Sequence, residues 1–168
     1  MSTNFWQALL NVLDYGSSSR VGGAEEGLGV IRSVLLALGI PVEPDDVEDD
    51  YFCWRFSQGS ANLLLMLFRD HGQTAGEWVV QVSAVMVRLP EGSAHSLFEY
   101  CLTANMDLVD CYFALHHEAD VVLTCKRRVV GLDIFALQVM LATVAKRADL
   151  LDDQLARLFD VQMWGRDA

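Results

Sequence analysis

Four histidines, four cysteines and one run of three cations hold most of the reactive chemistry in this 168-residue chain. The histidines are His71, His95, His116 and His117. A metal or hydrolytic centre needs imidazoles and carboxylates that converge on one point. His116 and His117 are adjacent in a segment that reads as a strand, where neighbours point to opposite faces, so these two cannot chelate one ion together. A small metal-dependent hydrolase would have to combine His71 with His116 or His117 and a carboxylate from elsewhere. The plainer reading is four surface or strand-end histidines. Gly59-Ser60 is a turn serine without the G-x-S-x-G frame that exposes a nucleophile on a sharp strand-to-helix bend. Cys53, Cys101, Cys111 and Cys125 contain no C-x-x-C pair, and only Cys125 has a cation beside it, Lys126. They read as buried, reduced thiols of a cytoplasmic protein. Gly27-Leu28-Gly29 lies inside a helical pattern, and no phosphate-binding loop is present. No catalytic, cofactor-binding or metal-ligating residue is assigned, and the expectation is a protein that is not an enzyme and carries no cofactor.

Charge narrows the partners. Twelve Lys and Arg stand against 23 Asp and Glu, a formal net charge of −11. That balance opposes broad contact with nucleic-acid phosphates or anionic lipid and suits a soluble protein with a basic partner. Lys126-Arg127-Arg128 is the exception, read as a hairpin end. The alternative is a regulatory domain that touches an acidic partner, including nucleic acid, through this cluster; three cations release few counterions, so such binding is expected to be weak and salt-sensitive, and direct nucleic-acid binding is not the favoured reading. The stretch Glu43-Pro44-Asp45-Asp46-Val47-Glu48-Asp49-Asp50 holds six carboxylates but lacks the glycine and alternation of a calcium loop. It reads as a solvated, self-repelling loop, or else a docking site for a basic partner. Apolar runs are too short for a membrane span, and Met1-Ser2-Thr3-Asn4 does not open a signal peptide.

The elements that would position these residues follow from periodicity. Residues 3 to 15 read as an amphipathic helix with Trp6, Leu9, Leu10 and Leu13 on one face, followed by a Gly/Ser linker to residue 23. This arm either packs on the rest of the chain or binds a partner. Leu28, Ile31, Leu35 and Leu38 predict a helix over 24–38, stopped by Gly39 and Pro41. Three strands follow. Phe52, Trp54 and Phe56 alternate in the first, and 62–69 is a continuous apolar run. In the third, 77–89, Trp78, Val80, Val82, Ala84 and Met86 share one face. Val79, Gln81, Ser83, Val85 and Val87 share the other, a half-polar surface partly exposed or shared with a partner. Ser93 or Ser96 can cap a helix ending near Asn105, and Ser96-Leu97-Phe98-Glu99 has capping-box form. Residues 111–117 and 121–125 form a hairpin. Asp133 caps a final helix whose stripe is Ile134, Leu137, Leu141, Val144, Ala148, Leu151, Leu155 and Leu158, with Asp149 as the place for a kink. The expected fold class is α+β: a mostly antiparallel five-stranded sheet in the order α-βββ-α-ββ-α, plus an N-terminal helical arm. Residues 1–23 form the arm and 24–168 a single domain.

This order resembles the type III secretion chaperone-like fold, and within it the YbjN-like proteins of bacteria. The local matches are Trp54-Arg55-Phe56 to Gln58-Gly59-Ser60-Ala61, Val87-Arg88-Leu89-Pro90, Leu102 with Asn105, Tyr112-Phe113-Ala114-Leu115, and Leu132-Asp133, across residues 24 to 162. The resemblance implies a cytoplasmic, non-enzymatic homodimer that holds a segment of a protein client, with stress or regulatory roles in the YbjN-like family. No site residue transfers position by position. From pattern alone, the candidate protein-binding residues are Trp6, Leu9 and Leu13 on the arm and Val79, Val85 and Val87 on the long strand.

Overall fold

In the computed structural model, which describes residues 23–59, 61–71, 76–89, 94–116 and 120–159, the first element is helix α1, Ala24–Leu38. Leu28, Ile31, Val34 and Leu35 recur at three- and four-residue steps, and all four are buried. Glu25 and Glu26 in its first turn complement the helix dipole. Gly39 ends it at φ 70°, with its N–H returned to the Leu35 and Leu36 carbonyls, a left-handed cap that a side chain would strain. The expected arm falls outside the described residues except for Gly23.

The strands are β1 (Asp46–Glu48), β2 (Tyr51–Gln58), β3 (Ala61–Arg69), β4 (Trp78–Arg88), β5 (Tyr112–His116) and β6 (Asp120–Arg128). They form one antiparallel sheet in the order β1-β2-β3-β4-β6-β5. Among the described residues the sheet therefore has six strands, not the expected five. The extra strand lies inside the acidic stretch expected to be a loop. Only Val47 in it is apolar, so no alternation announces it. Pairing makes it: the Asp45 N–H donates to the Cys53 carbonyl at 2.8 Å, and the Asp45 carboxylate accepts the Arg55 N–H. Backbone pairing overrides weak propensity in this hairpin.

Helix α2 is His95–Ala104 and helix α3 is Ile134–Phe159. The expected capping box at Ser96 is not used. Ala94 occupies the cap position with no side-chain bond, and Ser96 lies in the first turn. Burial of Leu97 and Cys101 sets the position of α2. Asn105 then fastens its end to the sheet, accepting the Phe113 N–H at 2.7 Å and donating to the Phe113 carbonyl at 3.3 Å. Asp133 caps α3 as expected, accepting the Ala136 N–H at 2.7 Å. The helix runs unbroken through Asp149 for 26 residues, about 39 Å. Leu137, Leu141, Val144, Ala148 and Leu155 of its stripe are buried, whereas Ile134 and Leu158 at its ends are exposed.

Helices α1 and α3 cover one face of the sheet. Trp54, Leu63, Leu65, Leu67, Val80, Val82, Ala84 and Leu123 point into that core, and register pairs them in rows such as Trp54–Leu65 and Leu65–Val82. The Trp54 indole N–H donates to the Val42 carbonyl at 3.0 Å. Tyr100 donates to Gln154 at 3.2 Å and so ties α2 to α3.

Two glycines of α1 give a paired test. A Cβ on Gly27 would lie 2.9 Å from Leu67 Cδ1 and 3.1 Å from Val129 Cγ2, where the helix presses on the sheet. A Cβ on Gly29 meets open space. Gly27→Val is expected to destabilise the protein by about 1–3 kcal/mol through overpacking. Gly29→Ala should stabilise it by about 0.5–1 kcal/mol. Urea unfolding of both variants checks the contrast, and equal shifts would contradict the packing of α1.

Candidate functional site

Among the described residues no helix covers the other face of the sheet, yet its centre is out of water. Cys53, Met66, Val79, Gln81, Ser83, Val122 and Thr124 are all buried there. Polar groups in such a place need partners. The Gln81 amide donates to Ser83 Oγ at 2.9 Å, Ser83 lies 2.8 Å from Thr124 Oγ1, and Thr124 donates to the Val82 carbonyl at 3.2 Å. Because the Thr124 proton goes to Val82, Ser83 must donate to Thr124, so the chain of hydrogen bonds has one direction. The Gln81 carbonyl oxygen is left without a partner among the described residues.

Coiling of the sheet explains the burial. Glu48, Asp49, Asp50 and Tyr51 belong to one edge, and Tyr112, Ala114, Leu115 and His116 to the other, yet all line one cleft of about 680 Å³. Both edges rise around a floor that includes Met66, Gln81, Val122 and Thr124. The acidic corner is partly neutralised: Asp50 lies 3.9 Å from Arg69 and 3.6 Å from His71, and Asp46 lies 3.9 Å from Arg55. The Lys126 ammonium sits 5.6 Å from the Phe68 ring centroid. Burial raises the pKa of the Tyr51 phenol, with Cys53 adding to it, and burial raises Tyr112, so both rings enter the cleft as neutral groups.

The candidate residues from sequence scatter. Trp6, Leu9 and Leu13 lie outside the described residues. Val79 is buried on the cleft face, and Val85 is half-buried there. Val87 has no exposed surface. A bulge between Val85 and Val87 breaks the alternation of β4 and turns Val87 into the helix-side core opposite Val121. His71 and His116 line the same cleft, but no three His, Cys, Asp or Glu side chains among the described residues come close enough to hold a metal ion. The expected hairpin-end cations are the last residues of β6, paired with Val79, Val80 and Gln81. Alternation sends Lys126 and Arg128 to the cleft face and Arg127 to the other, and Arg128 is held by Glu77 at 2.9 Å. The run is therefore not one phosphate-binding patch.

Two further surfaces flank β5. Between β5 and α3 lies a groove of about 710 Å³ bounded by Cys111, Cys125, Arg127, Phe135 and Val139. Between β5 and α2 lies an apolar hollow of about 330 Å³ with Phe98, Cys101, Leu102, Phe113 and Leu115 around it. Leu102 is 69% exposed and Leu115 53%. Sequence reading missed the Gln81–Ser83–Thr124 chain as a unit. Its signal was the polar pair Gln81 and Ser83 on an apolar strand, but the register that places Thr124 opposite Ser83 is not visible in sequence.

No protein-family model and no curated protein matches the chain. Among solved structures, it is similar to a chain of the ExsC–ExsE complex, at 14% identity and a TM-score of 0.57, covering 78% of this chain and 94% of that one. It is also similar to a chain of the heterodimeric ExoU–SpcU complex from the type III secretion system of Pseudomonas aeruginosa, at 16% identity and a TM-score of 0.50, covering 73% and 95%. A third likeness, at 12% identity and a TM-score of 0.48, is to the structure of the Yersinia pestis type III secretion chaperone SycH with a fragment of YscM2, covering 73% and 97%. At these identities the likeness is one of fold, and it agrees with the chaperone-like α+β fold expected from the element order. No described helix is long and apolar enough to cross a membrane.

The four thiols are free and buried. Burial pushes Cys101 and Cys125 up to about 11 from a usual value of 9.0, and raises Cys111 as well. An unfolded thiol ionises near the usual value, so above it the unfolded chain releases protons that the native chain keeps. Stability is therefore expected to fall as pH rises from about 9 toward 11. The urea midpoint should drop between about pH 8 and about pH 10, and less steeply in a Cys101→Ala, Cys125→Ala double variant. Parallel pH profiles for the two proteins would contradict this.

Proposed function

We propose that this protein is a non-enzymatic, chaperone-like adaptor that works as a cytoplasmic homodimer and holds a segment of a partner protein, in a stress or regulatory role akin to that of the YbjN-like proteins. The observation that carries the reading is the coiled sheet face. It presents a cleft with a buried floor and raised edges, and among the described residues no three His, Cys, Asp or Glu side chains gather there as a metal site. The fold likeness supports it, because the two structures with the higher TM-scores are complexes of two different proteins. The dimer is supported by the hollow between α2 and β5. Leu102 and Leu115 stand exposed around an apolar depression, as a self-complementary patch would. A patch shared by two copies would leave the cleft of each free for a client.

Native mass spectrometry of tagged protein isolated from its own cells tests both parts. The expected species is a dimer carrying one stoichiometric second protein. Leu102→Glu should convert the dimer to a folded monomer by sedimentation, since it places two charges against each other at the patch. A wild-type monomer at micromolar concentration would remove the dimer, and a bare species with a bound small molecule or metal would favour an enzyme instead.

A further inference from the structure

We infer that the cleft between the β1–β2 corner and β5 takes an extended partner segment in which arginine stands between apolar residues. This deepens the partner-binding reading above and rests on it. The surface of the cleft repeats every second residue: Met66 and Phe68 on β3, Val122 and Thr124 on β6, Tyr112, Ala114 and His116 on β5. That is the side-chain repeat of an extended chain, not of a helix. Apolar side chains of the segment meet Met66, Ala114 and Val122.

Charge selects the residues between them. Arg69 is already engaged, with Asp50 at 3.9 Å and the Gly76 carbonyl accepting from its Nε at 3.1 Å. Lys126 is held over the Phe68 ring. Glu48 and Asp49 thus remain on the cleft wall with no ion-pair partner among the described residues. The second requirement comes from the floor. Gln81 is only 7% exposed, lines the cleft, and has a carbonyl oxygen that accepts no hydrogen bond from the described residues. That oxygen is still reached from the cleft, so a donor brought by the ligand can take the place of water there. Arginine meets both demands, since its planar fork carries five donors and stacks on neutral aromatic faces such as Tyr51 and Tyr112.

The test exposes the full-length protein at low salt to an array of immobilised twelve-residue peptides of randomised sequence. Bound peptides should be enriched in arginine alternating with apolar residues. A Glu48→Lys, Asp49→Lys variant, altered only at exposed positions, should keep its thermal midpoint, lose the arginine enrichment and bind the best peptide about tenfold more weakly. Ala114→Trp, which fills the cleft from its edge, should abolish capture. Apolar peptides bound without arginine preference, or capture that survives Ala114→Trp, would overturn this inference and leave the adaptor reading standing. Capture of no peptide of any composition would overturn both.

Discussion

The pairing of β4 with β6 holds the molecule together. The chain builds β1 to β4 as one antiparallel run and β5 with β6 as a separate hairpin, and a two-stranded hairpin alone is marginal in water. Joined from Val79–Arg128 to Arg88–Asp120, the two become one sheet. Helix α3 then lies across the seam, with Leu137, Leu141 and Val144 against the rows that contain Val82, Ala84 and Leu123. The seam is also where both faces of the sheet are most completely buried, so its register governs the core on one side and the cleft on the other.

The polar residues at this seam matter because of where they sit. Ser83 faces Thr124 across the β4–β6 ladder, and Gln81 stands two residues away. Slipping β6 by one residue against β4 would turn Thr124 into the core and put Leu123 and Cys125 on the cleft face, leaving Ser83 without its partner. The directed bonds from Gln81 through Ser83 and Thr124 to Val82 therefore favour the native pairing over its neighbours, beyond the modest stability each bond contributes. The bulge at Val85–Val87 adds twist at the same strand, and coiling brings the two sheet edges over the floor.

Most of the architecture was legible in the amino-acid pattern. Helix α1 ends at Gly39, Asp133 caps α3, and the alternation of Phe52, Trp54 and Phe56 marks a face of β2, because each depends on residues within a turn or two of one another. The site was much less legible. Val87 looked like a surface residue because strict alternation places it with Val85, and a bulge has no fixed sequence mark. Lys126, Arg127 and Arg128 looked like one patch because adjacency in sequence hides alternation across a sheet. β1 was missed because three residues with one valine have no period to detect.

Local pattern alone thus carried the order of three helices and five of the six strands, the end of α1 at Gly39, the cap of α3 at Asp133, the apolar face of β2 and an acidic balance unfavourable to nucleic acid. These are local consequences of side-chain type and period. Only the tertiary structure decided that the acidic stretch pairs as a sixth strand, that Val87 turns inward, and that Glu48 and His116 share a cleft. Each of those depends on contacts between segments far apart in the chain, and on the cumulative twist of paired strands, which no single segment encodes.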